Sequence, residues 1–333
     1  MSASILTAAP PLPRPCGYLS TAIVEFLAGS SDASLPLGTS SAALFSDPMS
    51  RDLHLALSVC YELHYRGFAE VDDDLEWDPD VLRFRRALEN SFLTYLRDNV
   101  EHGTDVVAEM DKLSVGSASG TGPSWFLRDE GSWEQMREYF AHRSLYHLKE
   151  ADPNAWAIPR LQGQAKASYV AVEFDEYGGG RGERVHQQLW ADLMVAADLN
   201  VAYLGYIDRV PAETLGWVNL MSLFGLHRSL RGAVVGHFAA TEITSSPGSK
   251  RFVDGLQRLG APKQCVAFYQ EHVEADAVHE QILRLDVVAN VIREEPHLGA
   301  DVVFGMRALD FVEEALGKVV LDAWAAGRSS LIP

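Results

Sequence analysis

The sequence predicts an all-α protein, and three observations carry that prediction. From Trp133 onward nearly every segment places apolar residues at the spacing of one helix face, with Pro or Gly at the breaks. Only 201–207 has a strand-like pattern, and it is short. Strands and helices do not alternate anywhere, which argues against a doubly wound sheet or a barrel.

Composition sets the class. The chain has 333 residues, 47% of them hydrophobic and 10% aromatic, enough for one or two domains with an ordinary core. Its 28 basic residues against 46 acidic ones give a net charge of −18, which argues against binding a phosphate backbone or an anionic membrane surface. No apolar run reaches the roughly 20 residues of a bilayer span, and the first fifteen residues lack a basic stretch and are broken by prolines. Cys16, Cys60 and Cys265 show no zinc or cluster spacing. A cytoplasmic protein with no nucleic-acid or membrane partner is expected.

In chain order, 1–50 reads as a loosely ordered arm, polar or proline-rich at 9–15 and 30–50 around the apolar piece 18–27. Helical spacing starts at Arg51. Leu53, Leu55, Leu57, Val59 and Leu63 open one segment; Val81, Leu82, Phe84, Leu88, Phe92 and Leu96 form a second, so 51–115 reads as a helical N-terminal extension. The acidic run 72–80 between them lacks the glycine and distal glutamate of a calcium loop and reads as a turn that caps the next helix. Glycine and serine at 116–124 mark a linker, taken as 116–131. The core, 132–333, reads as helices over 132–151, 160–177, 181–198, 211–229, 231–246, 248–259, 262–295 and 299–326. No repeat of fixed period is visible.

The segment His272-Val273-Glu274-Ala275-Asp276-Ala277-Val278-His279 is the most informative. On a helix, His272, Asp276 and His279 fall at roughly 0°, +40° and −20°, within about 60° of arc. Two imidazoles and a carboxylate converging on one point suit iron or manganese, which accept nitrogen and oxygen donors and keep positions open. Alone, the pattern also fits a polar stripe on an amphipathic helix. Other acids sit on unusually apolar helices: Glu176 after Ala165, Ala167, Tyr169, Val170, Ala171 and Val172, which read as buried, with His186 ten residues on, and Glu242 after the uncharged run 232–241. A carboxylate in such surroundings is costly to bury unless it is paired, protonated or bound to metal. Glu150 closes 144–150.

Read together, these residues resemble the haem-oxygenase-like di-iron oxidases and oxygenases. There, an early core helix supplies a Glu and a His, the next a Glu, and a later one the HxxxDxxH motif. The order and spacing match over roughly 132–326, and Glu150 is similar to an extra glutamate of the amine N-oxygenating branch. The resemblance implies a haem-oxygenase-like helical bundle with two Fe(II)/Fe(III) ions and dioxygen as co-substrate. It puts Glu176, His186 and His272 around one iron and Glu150, Asp276 and His279 around the other, with Glu242 bridging. The implied enzyme N-oxygenates a small amine or amino acid in specialised metabolism. The same core also desaturates, cyclises or cleaves amino acids and fatty acids. An iron-binding or interaction protein, or a metal-free relative of thiaminases or quinone-cofactor synthases, keeps the fold without this chemistry.

Rival motifs are weaker. Gly178 to Gly182 lacks the strand and the GKS or GKT of a phosphate loop and reads as a helix break. The ExxH at Glu294 contains Pro296, there is no GxSxG, and no base neighbours the cysteines. His147, one turn from Glu150, is a candidate to support a ligand; His142, His227 and His237 read as core or surface residues. Tyr146, Val235 and Phe238 precede ligands by one or two turns and are expected to line the substrate pocket; Arg160 and Arg307 fit either a substrate carboxylate or a surface ion pair. No flavin or nicotinamide fingerprint is present, so an external electron donor is implied, along with a small-molecule substrate and a possible homodimer.

Overall fold

The computed structural model describes residues 9–31, 33–37, 47–115 and 120–333. Among them there is no strand. The 201–207 segment is a turn that runs into a short 3-10 helix starting at Ile207: Tyr203 and Ile207 are buried, and Leu204 takes a left-handed φ of 56°.

The N-terminal part is better packed than its composition suggested. Helix α1 (Tyr18–Leu27) buries Leu19, Ile23 and Leu27, and its first turn is held from outside. Asp52 accepts hydrogen bonds from the backbone N–H groups of Leu19 (2.9 Å) and Ser20 (2.8 Å), two of the donors that a helix start leaves unpaired. Asp52 belongs to α2 (Arg51–Glu62), so one acid of the second helix docks the first. The arm calls at 1–8, 32 and 38–46, and the linker call at 116–119, lie outside the described residues. The acidic run 72–80 forms a short 3-10 turn. Asp78 caps α3 (Pro79–Asn99), accepting from the N–H groups of Asp80 and Val81 with Pro79 in the first turn. Two shorter helices follow, α4 (Val106–Ser114) and α5 (Pro123–Asp129).

The core begins with α6 (Trp133–His147), whose start is a capping box between Ser132 and Gln135. The short α7 (Asp152–Ala155), then α8 (Gly163–Glu176), α9 (His186–Ala196) and α10 (Ala212–Leu226) lead to two long helices, α11 (Arg231–Arg258) and α12 (Lys263–Ile282). Helix α12 runs into a π-helical stretch, Leu283–Val288, and then α13 (Ala289–Glu294); α14 (Gly299–Ala325) completes the bundle. Helix α10 is buried on all sides, and α2 of the N-terminal extension packs on it.

Several boundaries differ from expectation; helix 132–151 stops at His147 and helix 181–198 starts only at His186. Helix α11 continues through Pro247, where a break was expected. One missing N–H is outweighed by packing on both sides, since Ile243, Phe252 and Val253 are all buried. Helix 262–295 is divided by the π stretch, a distortion that recurs at functional sites. Helices α11 and α14 cross at two glycines: a Cβ on Gly236 would sit 1.9 Å from the Val302 carbonyl oxygen, and one on Gly305 2.0 Å from that of Ala233. No other residue permits that approach, which locks α11 in place behind the site.

Candidate metal centre

Five elements converge inside the bundle: the corner after α6, the end of α8, the start of α9, the middle of α11 and the middle of α12. They bring all seven expected ligands together. Glu150, Glu176, His186 and His272 offer donor atoms within 4.8 Å of one another, and so do Glu176, Glu242, Asp276 and His279. All seven side chains are buried, none more than 6% exposed.

Local sequence explains each placement. Glu176 is the last residue of α8 and His186 the first of α9, joined by Gly178, Gly179 and Gly180 with φ of 71°, 61° and 79°. This left-handed turn lets two helix ends face each other, leaving His186 Nδ1 2.8 Å from Glu176 Oε2. His272, Asp276 and His279 share one face of α12, as their spacing requires. His272 Nδ1–H donates to the Phe268 carbonyl at 2.8 Å, which turns Nε2 toward the cluster. His279 Nδ1 lies 3.1 Å from Glu242 Oε2, and its Nε2 3.2 Å from Asp175 Oδ2.

Glu150 is placed by tertiary structure. Helix α6 ends at His147, and Ala151 takes φ of 71°, a conformation costing a non-glycine residue about 1–2 kcal/mol. The corner turns the Glu150 carboxylate inward, 2.8 Å from His147 Nδ1 and 3.7 Å from His272 Nε2. The grouping therefore differs from the expected one. Glu150 joins Glu176, His186 and His272 rather than Asp276 and His279, and Glu176 is common to both groups. Neither Lys149 nor Arg143 pairs with Glu150: Lys149 reaches Glu62 and Arg143 holds Glu313.

The electrostatics call for positive charge. Burial, reinforced by Asp276 and Glu176, pushes the Glu242 carboxyl well above the ordinary carboxylate range; burial likewise raises Asp276. For His272 burial acts downward, but Glu150 and Asp276 outweigh it and raise the imidazole well above its usual value. Glu150 moves the other way: burial raises it, and His147 and His272 more than reverse that.

The donor set fits a metal. Glu150 Oε2, His272 Nε2 and both oxygens of Asp276 are buried without a hydrogen-bond partner, and His186 Nδ1 and His147 Nδ1 approach carboxylates without hydrogen-bond alignment. Such groups are costly to bury unless something common satisfies them. Carboxylate oxygens with imidazole nitrogens and no thiolate suit first-row ions such as iron and manganese.

A cavity of about 310 Å³ reaches Glu150, Glu176, Glu242 and His272. Tyr146 lines it as expected, with Trp217, Phe252, Phe268 and Tyr269. Other expected lining residues lie elsewhere. Val235 is fully buried in the core, and Phe238 packs on Tyr169 of α8 with ring centroids 5.0 Å apart instead of lining the cavity. Arg160 is spent on the backbone, donating to the carbonyls of Trp156, Gly225 and Leu226 at the end of α10. Arg307 pairs with Glu109 at 2.6 Å and donates to the His102 carbonyl. Neither arginine lines the cavity.

Sequence reasoning missed four residues. Arg143 and Glu313 form a bidentate pair on the cavity wall, both contacts 2.6 Å, with the guanidinium 4.3 Å above the Trp217 ring. His237 lines the cavity with neither ring nitrogen partnered, and burial lowers its pKa to about 4. Glu173, one turn before Glu176, is buried with both oxygens unpartnered, and burial pushes its carboxyl well above the usual range. Its helical spacing from Glu176 was the available signal; the cavity residues had none.

Fold and site together define a class: a haem-oxygenase-like helical bundle around a buried carboxylate and histidine cluster that could hold metal. Comparison agrees. The iron-containing redox enzyme family matches residues 137–313, more than half of the chain and all seven cluster residues, and the chain belongs to that family. No curated protein matches it. Among the described residues, no helix is long and apolar enough to cross a membrane.

Proposed function

We propose that this protein is a non-haem di-iron oxygenase that uses dioxygen to N-oxygenate a small amine or amino acid. The observation that carries the reading is Glu150, a seventh buried donor grouped with Glu176, His186 and His272. One iron would be held by that group and the other by Glu242, Asp276 and His279, with Glu176 shared. The four carboxylates of the cluster balance the charge of two divalent cations. Bound irons would supply the redox chemistry with dioxygen; the electrons come from an external donor.

The chain's own residues have separate tasks. The Phe268 carbonyl fixes the tautomer and direction of His272, and His147 holds Glu150. Phe268, Tyr269 and Trp217 keep water from the reacting region, which strengthens every charge interaction there. Neutral His237 offers one donor and one acceptor to a substrate in the cavity. Arg143, neutralised by Glu313, gives the wall a polar but uncharged surface.

The test is anaerobic Fe(II) loading with elemental analysis, followed by oxygen and a panel of amines and amino acids with product identification. Two irons per chain and an N-oxygenated product are expected. Metal content that never exceeds background removes the reading. Desaturated or cleaved products with two irons bound keep the centre and replace the reaction.

A further inference from the structure

A part-buried polar chain links the N-terminal extension to two of the cluster carriers. Arg66 lies just after α2, outside the matched span 137–313. Its guanidinium donates to the Leu148 carbonyl at 2.9 Å and to Gln187 Oε1 at 3.0 Å, and stacks 4.0 Å above the Tyr203 ring. Gln187 follows His186 directly. Its amide donates to the Glu150 carbonyl at 3.1 Å and to Asp152 Oδ1 at 3.2 Å. Glu62, 1% exposed, accepts from Lys149 Nζ at 3.2 Å and from the Tyr203 hydroxyl at 3.0 Å. Every residue from Leu148 to Glu150 is thus gripped by α2, by the turn after it, or by Gln187.

This grip has a physical task. Glu150 stands on a corner, not within a regular helix, and the corner contains Ala151 at a positive φ that an isolated chain would relax. Ligands hold a metal tightly only when outside contacts fix their direction. We infer that Arg66 and Glu62 are positioning residues of the N-terminal extension, which set Glu150 and His186 for metal binding in the group they share with Glu176 and His272. The inference rests on the di-metal reading. It makes the extension part of the centre's support, and it predicts an asymmetry: Glu242, Asp276 and His279 receive no contact from this chain of residues and should not depend on it.

The experiment is anaerobic Fe(II) titration of the full-length protein, followed by metal counting and near-infrared circular dichroism, in wild type, Arg66→Ala, Arg66→Lys and Gln187→Ala. Arg66→Ala should weaken one of two Fe(II) sites by about 10–100-fold, the usual effect of losing an outer support, and leave the other within about two-fold. Thermal unfolding of the metal-free protein should move little. Arg66→Lys should restore little, because an ammonium cannot span Leu148 and Gln187 as a planar fork does. Gln187→Ala cuts the same link from the other end and should reproduce the selective loss; it decides the matter if Arg66→Ala does not fold. Two unchanged sites in Gln187→Ala, or parallel weakening of both sites together with lower thermal stability, would overturn the positioning role. Wild-type protein that binds no Fe(II) fails differently, by removing the di-metal reading and this inference with it.

Discussion

Helix α6 carries two histidines, His142 fully buried and His147 half-buried, that behave in opposite ways. His142 has both ring nitrogens satisfied, Nδ1 2.8 Å from Thr214 Oγ1 and Nε2 2.9 Å from Ser330 Oγ, while Ser330 in turn donates to Glu138 at 2.7 Å. Five residues on, His147 faces Glu150 across a cluster in which several buried donors and acceptors lack partners. They differ most in how far their ring nitrogens are satisfied. A closed polar network holds structure together, whereas an open one stores unmet hydrogen-bonding and charge that a ligand can meet. The contrast separates structural from functional histidines by the satisfaction of their ring nitrogens.

The largest expected effect lies on the open side. His279→Ala should reduce metal affinity at its group by more than about 100-fold, beyond the loss of an outer contact, and abolish turnover. Far-ultraviolet circular dichroism should stay near wild type. Full iron content with full activity would show that His279 is no ligand, and an unfolded variant would place it with His142.

The closed side should respond in stability. His142→Ala leaves Thr214 Oγ1 without its partner, takes one of Ser330's hydrogen bonds while that to Glu138 stays, and opens a cavity, a cost of about 2–4 kcal/mol in chemical denaturation. Iron stoichiometry should be unchanged. A selective loss of metal instead would break the distinction between the two networks.

A pH profile sharpens it further. Burial holds His142 at about 4 and His54 at about 3, below the ordinary 6.5 of an unfolded histidine. The unfolded chain therefore binds more protons as pH falls below 6.5, and stability declines from there toward the folded pKa. Between pH 7 and pH 5 each group should contribute a loss of about 2 kcal/mol. Urea midpoints across that range for wild type and His142→Gln measure it; equal slopes would mean that His142 is not held neutral by burial.

The smallest effect belongs to Arg307, for which the sequence left a substrate contact and an ion pair both open. Arg307→Lys keeps the charge beside Glu109 and should change stability by less than about 1 kcal/mol, with substrate saturation kinetics unaltered. A raised KM would return this arginine to the substrate site.

What the sequence determined by itself was whatever depends on one element at a time. Periodicity placed His272, Asp276 and His279 on one face because a helix repeats every 3.6 residues whatever surrounds it. Proline, glycine and capping residues likewise marked most helix ends, and acids on apolar helices flagged Glu176 and Glu242. What only the tertiary structure decided depends on elements distant along the chain. Glu150 joined His186 and His272 because the corner at Ala151 turns it inward. Phe238 met Tyr169, and Arg160 and Arg307 found partners near at hand. Arg143 reached the cavity wall through Glu313, 170 residues away in sequence. Pro247 stayed within α11 because packing outweighs one missing hydrogen bond. Periodicity is a property of the backbone and can be read from spacing; a side chain's partner is a property of the packed interior, where competing contacts are settled only once all the helices are in place.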